Sequence, residues 1–324
     1  MKKKLIAVGI LVNLSGVAQA QSSVTVYGEM DIGFIKSTGS AWEVGRGDNN
    51  KLGFKGAENL GGGMSAIFNL EMRFEPDTGT VENGNRPLFQ GRSIVGLTGA
   101  FGTVKLGRDL TAMQDPIFFF EPFGFATVGS LDAITGNYSS TPSENSAGNR
   151  FSNGIYYSTP TVGGFQGNVT VASKESVANK AGFAPGELKS NPLSLSGTYS
   201  NGPFFAMVGW ERNTVEDEFR NISGSYKVGI ANLIASYSTV SYAAAGKASE
   251  KNLLIGADID VGTGNVKAGY GQIKPNGGSA DKQFSIGYWH NLSKRTHLYT
   301  DFSNRKAAIG ESVNAFDLGI QHLF

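Results

Sequence analysis

From residue 24 onward the chain alternates. Val24, Val26, Gly28, Met30, Ile32 and Phe34 fall on one side of a run whose other side carries Thr25, Tyr27, Glu29, Asp31 and Gly33. A period of two predicts a strand with one apolar and one polar wall. The next run sets Leu52 and Phe54 against Lys51 and Lys55. The third, from about Met64 to Glu75, sets Ala66, Phe68, Leu70, Met72 and Phe74 against Asn69, Glu71, Arg73 and Glu75. Charged groups at that density do not suit a dry sandwich core and predict a wet or exposed face.

The pattern continues through thirteen further runs to Phe324, so sixteen strands are predicted. The connections alternate in length. Long or polar ones fall at 36–50, 76–88, 109–150, 175–191, 213–218, 241–250, 274–281 and 305–312, with short ones between, among them 201–202 and 229–230. Asn201-Gly202 is favourable chemistry for a two-residue hairpin. Alternation of this kind predicts an all-β fold, a transmembrane 16-stranded antiparallel up-and-down barrel with turns on one rim and loops on the other. A soluble sandwich or solenoid would keep its outer faces polar. Here one face of nearly every run is Val, Leu, Ile, Phe or Tyr, and lipid is the partner that such faces need. Tyr27, Tyr156, Tyr157, Phe165, Phe204 and Phe324 gather at strand ends, as interfacial girdles require.

One interval breaks the alternation. Asp109 to Arg150 has no strand pattern and carries Phe118-Phe119-Phe120 beside Glu121. Connections of this length inside a compact domain are usually functional, and a solvent-facing loop has no use for three consecutive phenylalanines. The reading is a loop that folds back into the barrel and narrows a water-filled bore, with the phenylalanines packing it against the wall.

Composition narrows the classes further. Met1-Lys2-Lys3-Lys4, an apolar stretch to Val17 and Ala18-Gln19-Ala20 read as a removable signal peptide over 1–20, too short to span a bilayer. A single barrel domain then runs over 21–324. Without the leader's three lysines, 25 of the 28 basic residues remain against 27 acidic ones, a net charge of −2. Near-neutral charge excludes nucleic acid as a partner, because that binding rests on clustered Lys and Arg. With no cysteine, neither disulfides nor thiolate metal sites are available.

Several motifs resemble those of a known family. Leu52-Gly53-Phe54-Lys55-Gly56-Ala57-Glu58-Asn59-Leu60-Gly61, Val95-Gly96-Leu97-Thr98-Gly99-Ala100-Phe101-Gly102 with Leu106-Gly107-Arg108, and Leu292 to Tyr299 resemble the strand–turn signatures of trimeric Gram-negative general porins of the β-proteobacterial type. Gly319-Ile320-Gln321-His322-Leu323-Phe324 is similar to that family's last strand. The resemblance implies sixteen strands, a homotrimer, an outer membrane of lipid and lipopolysaccharide, and a third external loop in the pore. It also implies that Phe324 is the signal read by the barrel assembly machinery. Two positions depart from the pattern: Lys51 stands where arginine is frequent and Asn59 where aspartate is common. Lysine keeps the charge but loses the planar fork; Asn59 lies in a turn remote from conduction.

A pore eyelet works through its size and through a field between opposed charges. Parity places Lys51, Lys55, Arg73, Arg92, Lys105 and Arg150 on lumen faces, and Asp109, Asp115, Glu121 and Asp132 of the loop are candidates to oppose them. Lys51, Arg92 and Arg150 border the loop, and the resemblance implies a basic cluster there. Arg108 shares the parity of outward Val104 and Leu106, and reaches the lumen only if the strand break turns it inward. For each basic residue the plainer reading is a local partner, such as Glu71 or Glu75, away from the narrow point; for Glu121 and Asp115 it is a loop carboxylate that is simply solvated or caps a turn. His290, His297 and His322 have no nucleophile motif beside them, and no phosphate loop or metal-ligand spacing is present. No catalysis, metal or cofactor is therefore expected. The expected function is passive passage of ions and small hydrophilic solutes with a weak anion preference. A substrate-specific channel, which would show saturable binding, and an adhesin, which would survive deletion of the third loop, are the alternatives.

Overall fold

The computed structural model describes residues 23–82, 87–131, 149–174 and 190–324. The leader lies outside the described residues. In chain order the first strands are β1 (Ser23–Ser37), β2 (Glu43–Gly45), β3 (Lys51–Gly61), β4 (Met64–Arg73), β5 (Arg92–Gly99) and β6 (Gly102–Leu110). After a short helix α1 (Gln114–Ile117) and a 3-10 turn (Phe118–Phe120) come β7 (Arg150–Ser158), β8 (Phe165–Ala172), β9 (Leu193–Asn201), β10 (Phe204–Arg212) and β11 (Glu218–Val228). The chain closes with β12 (Ala231–Ser241), β13 (Glu250–Asp260), β14 (Gly264–Pro275), β15 (Asp281–Asn291), β16 (Thr296–Lys306) and β17 (Ser312–Leu323).

All pairings are antiparallel between neighbours in sequence, and β1 pairs with both β3 and β17, which closes the sheet. The three-residue β2 folds onto the upper end of β1 and is not a stave, so the barrel has sixteen. The alternation did not announce β2, because three residues carry no measurable period. β3 runs four residues beyond the expected Ala57, where Asn59 Oδ1 accepts the Gly61 N–H at 2.8 Å and shapes the turn.

Burial is inverted relative to a water-soluble protein. On β1, Val24, Val26, Met30 and Phe34 are exposed while Glu29 and Asp31 are buried. On β17, Leu318 and Ile320 face out while Asp317 and Gln321 face in. No helix among the described residues is long and apolar enough to cross a membrane. The strands do it instead: a closed barrel leaves no unpaired backbone edge in hydrocarbon.

One wall departs from the expected polar interior. Met207, Phe219, Ile234, Val240 and Leu254 of β10 to β13 are buried inside the barrel and pack with Met113, Phe120 and Leu131. Those three belong to the residues after β6. Glycines on the same wall complete the seat. A Cβ at Gly209 would lie 2.8 Å from Met113 Cγ, one at Gly256 2.7 Å from Pro122 Cγ, and one at Gly269 2.7 Å from Leu131 Cδ1. Each is closer than packed carbons tolerate, so glycine there makes room for the incoming segment.

Polar contacts trace the path of residues 111–131. Ala112 N–H donates to Thr170 Oγ1 (2.9 Å) and Met113 N–H to Ser194 Oγ (3.0 Å), on β8 and β9. Lys267 Nζ of β14 donates to the Pro122 carbonyl (2.7 Å), and Gln283 Nε2 of β15 to the Ser130 carbonyl (2.8 Å). Val128 N–H donates to Asp317 Oδ2 of β17 at 2.9 Å. A segment that touches inward side chains from β8 round to β17 crosses the interior of the barrel. Residues 132–148, and Asp132 with them, lie outside the described residues.

Candidate functional site

Strands β3 to β7 place the expected cations side by side. Lys51 and Arg73 are register partners on β3 and β4, and Glu71 and Arg92 on β4 and β5. Alternation turns all four inward, because Leu52, Met72 and Ser93 take the other side. Lys51 Nζ sits 2.5 Å from Glu29 Oε2, and Arg73 Nε 3.5 Å from Glu71 Oε1. Arg73, Arg150, Lys51 and Arg92 all act electrostatically on Glu71. Lys55 lies lower on the same wall, its Nζ 5.0 Å from the Tyr27 ring centroid, a cation–π distance.

Asp109 ends β6 and therefore approaches the cations from the wall itself, not from across the bore. Arg92 Nη1 lies 2.7 Å from Asp109 Oδ1 and Lys105 Nζ 2.5 Å from Oδ2. Asp115, in α1, is the open acid: it is 62 % exposed and stands 3.6 Å from Arg92 Nη2. These contacts put the first turn of the crossing segment against the basic wall.

Arg150 begins β7 and is buried. Its Nε donates to the Gly91 carbonyl and its Nη1 to Asn149 Oδ1, both at 2.6 Å, and Arg73, Glu71, Arg108 and Arg92 are its charged neighbours. Arg108 is buried as well, donating to the Gln90 carbonyl (2.8 Å) and the Ser152 hydroxyl (2.9 Å). It sits where the β6–β7 register shifts between Gly107 and Asp109. There the Tyr156 hydroxyl accepts the Asp109 N–H at 2.9 Å and donates to the Phe151 carbonyl at 2.5 Å, so the break leaves its backbone groups partnered.

Glu121 takes the plainer of its two readings. Its carboxylate turns into its own loop and accepts the N–H groups of Phe125 (2.7 Å), Phe123 (3.0 Å) and Leu131 (3.3 Å). Burial pushes its pKa up to about 7 against the pull of those donors and of Lys267. The carboxylate shapes the loop and does not face the basic wall. Phe120 stacks on Phe205 with centroids 5.0 Å apart, Phe119 meets the same ring edge-on at 5.8 Å, and Phe118 packs on Phe125 at 5.0 Å.

Sequence reasoning passed over a second charged group. Asp31, Asp301 and Asp317, on β1, β16 and β17, are buried at 0–1 % exposure. Tyr299 OH donates to Asp31 Oδ1 (2.6 Å), Trp289 Nε1 to Asp301 Oδ1 (3.2 Å), and Gln321 Nε2 to Glu29 Oε1 (2.9 Å). Inward parity was legible for each; that they converge beneath residues 127–128 was not. No metal-competent cluster of His, Cys, Asp or Glu occurs among the described residues.

At the closing seam Phe324 N–H and carbonyl exchange hydrogen bonds with Gly28 at 3.1 and 3.0 Å. The Phe324 ring lies over Gly28, where a Cβ would come within 2.3 Å of its Cζ.

A closed sixteen-stranded barrel with apolar staves, a charged interior and a segment crossing it defines a transmembrane diffusion channel. The comparisons agree: the family model for Gram-negative porins matches residues 7–307, and the chain belongs to that family. It is 31 % identical to outer membrane porin protein 32 of Delftia acidovorans and 26 % identical to an outer membrane porin protein of Bordetella pertussis. Each alignment covers 100 % of both chains. The solved anion-selective porin from Comamonas acidovorans superposes with a TM-score of 0.79 at 29 % identity, over 94 % of this chain and 100 % of that one. The protein is thus a passive channel of the Gram-negative outer membrane.

Proposed function

We propose that the channel passes ions and small hydrophilic solutes with a weak preference for anions, and that residues 111–131 narrow its bore. The observation that carries the preference is which charges meet water. Lys51, Arg92 and Lys105 are 22–25 % exposed, whereas their partners Glu29 and Asp109 are 1–2 % exposed. Of the other interior carboxylates, Asp31, Asp301 and Asp317 are sealed under side chains and backbone donors, and Asp258, 28 % exposed, is answered by Lys267 at 3.4 Å on the opposite wall. Along the basic wall a passing ion therefore meets cations first, with Asp115 as the opposing acid. Exposed charges in a wet lumen are screened within about 10 Å at 0.1 M salt, so the preference is weak.

The remaining parts of the reading follow the family. The leader over 1–20 is removed on export, short turns face the periplasm, and the barrel works as a homotrimer amid lipid and lipopolysaccharide. Phe324 presents the last strand to the barrel assembly machinery. The interior has no catalytic role and needs no cofactor. The test is single-channel recording of the purified protein in a planar bilayer under a KCl gradient. Ohmic steps in groups of three and a reversal potential of anionic sign are expected. A folded barrel without conductance would overturn the channel reading; a cationic sign would overturn the preference alone. Saturable block by one solute would instead identify a specific channel.

A further inference from the structure

The membrane-facing surface carries a groove that the chain's own packing does not require. It crosses β8 to β13 and encloses about 730 Å³. Its floor is a chain of small outward residues in ladder contact: Gly167 faces Gly197, Ala206 faces Gly224, and Gly224 faces Ala235. A second hollow of about 550 Å³ continues from it across Gly167 and Gly197 to Trp210.

These outward glycines differ from the inward ones. At Gly209, Gly256 and Gly269 an added Cβ would collide with the crossing segment at 2.7–2.8 Å. At Gly167, Gly197 and Gly224 it would meet nothing closer than 3.6, 3.9 and 4.0 Å, ordinary van der Waals contact. No atom of this chain demands that the floor be bare. Elsewhere on the same belt the outward positions hold large residues such as Ile222, Tyr237 and Leu253, which wall the groove on one side.

The other wall points to the occupant. Phe165, Tyr199 and Phe204 pack as a ring cluster, with centroids 4.4 and 6.3 Å apart, at the short-turn rim. Phe165 and Phe204 each open a strand there, and the Tyr199 hydroxyl accepts from Asn201 Nδ2 at the turn. Aromatic girdles of this kind flank the hydrocarbon band of a barrel at its interfaces. From that rim the small residues step sideways from strand to strand, through four spacings of about 4.8 Å, roughly 19 Å round the barrel. Gly167, Ala206 and Ala235 lie two to four residues in from the strand starts Phe165, Phe204 and Ala231, which at about 3.3 Å per residue keeps the floor inside the roughly 15 Å of half a hydrocarbon core. The groove thus starts at the headgroup boundary, stays within the leaflet on the short-turn side, and has no charged residue in its lining.

We propose that this groove is a retained-lipid site that holds an acyl chain of a periplasmic-leaflet phospholipid in a fixed position on the barrel. Assignment to that leaflet rests on the short turns facing the periplasm. Burying the chain in a preformed apolar trough adds contacts that a flat stave face cannot offer.

The test compares wild type with Gly197→Phe/Gly224→Phe, which fills the floor from outside, and with Val95→Phe on an outward stave away from the groove. Delipidated protein in mild detergent is titrated with phosphatidylethanolamine and examined by native mass spectrometry; single-channel conductance reports whether each barrel is intact. Expected are a stoichiometric phospholipid adduct on wild type and on the Val95 variant, its loss from the double variant, and equal conductance in all three. Equal retention by the double variant, or no adduct on wild type, would overturn the proposal. So would a preference for lipopolysaccharide over phosphatidylethanolamine, or a double variant whose defect is subunit association with lipid retention unchanged. Loss of conductance in wild type would strike the channel reading and leave the lipid result standing.

Discussion

The two halves of the barrel interior solve different problems with the same alternation. Strands β3 to β7 turn Lys51, Arg73, Arg92, Lys105 and Arg150 inward, answered by Glu29, Glu71 and Asp109. Strands β10 to β14 turn in Met207, Phe219, Ile234 and Leu254, together with the bare positions Gly209, Gly256 and Gly269. The first wall keeps Lys51, Arg92 and Lys105 in contact with water. The second is a dry seat that removes Met113, Phe120 and Leu131 from water. A lumen is therefore not uniformly polar: an inward face matches whatever lies against it, water on one side and the chain's own segment on the other.

The contrast is open to test. Filling the seat should have the largest effect. Gly256→Phe with Gly269→Phe forces ring atoms into the space of Pro122 and Leu131, and overpacking of this kind costs about 1–3 kcal/mol per site. The segment should leave the wall. Open-channel conductance should rise and protease cleavage should appear within 111–131, with heat-modifiable gel migration showing that the barrel still forms. Unchanged conductance would mean that the segment does not limit the bore.

Reversing the basic wall comes next. Arg92→Glu with Arg150→Glu should carry the reversal potential under a KCl gradient toward cations. Arg92 should contribute most of this, because Arg150 is buried against the Gly91 carbonyl. An unmoved potential would remove both residues from the selectivity-determining region.

A smaller, opposite change is expected from Asp109→Asn. It frees Arg92 and Lys105 from their shared carboxylate and should strengthen anion preference. Loss of the buried charged partner should also lower thermal stability by about 1–3 kcal/mol. A shift toward cations would break the assignment of Asp109 to the wall.

The smallest effect on conduction concerns Glu121. Burial lifts its pKa from 4.5 to about 7, so the folded loop holds a proton that the unfolded segment has released. Its stabilising contribution is complete below about pH 4.5 and is lost as pH rises through about 7. Amide exchange at Phe123, Phe125 and Leu131, corrected for intrinsic rates, should show protection falling across that window. Glu121→Gln should flatten the profile; a wild-type profile already flat would refute the linkage.

Much of this arrangement was legible residue by residue. Glu29 and Asp31 flank outward Met30, and the strand parity that turns them inward can be read without a partner. The longest gap in the alternation likewise contains residues 111–131, whose contacts run from β8 to β17. The seat was less legible, although Leu253-Leu254-Ile255 breaks strict alternation and is a trace of it. An apolar inward residue looks like an error of pattern until the segment that covers it is known. Which of its two readings Glu121 takes was not legible, because a loop acid has no parity and its three donors lie on its own loop's backbone.

The order of residues along the chain is enough to establish the staves, their inward and outward faces, the asymmetry of the two rims and the membership of the family. Each depends on neighbours within a few residues, because pleating alone sets which way a side chain points. It takes the folded barrel to show that Asp109 answers Arg92 and Lys105, that Asp31, Asp301 and Asp317 are sealed, and that glycines on β10, β13 and β14 receive the crossing segment. Those pairings join residues up to 286 positions apart, as Asp31 and Asp317 are in sharing one buried patch. They exist because the sheet closes on itself and one segment then crosses what it encloses.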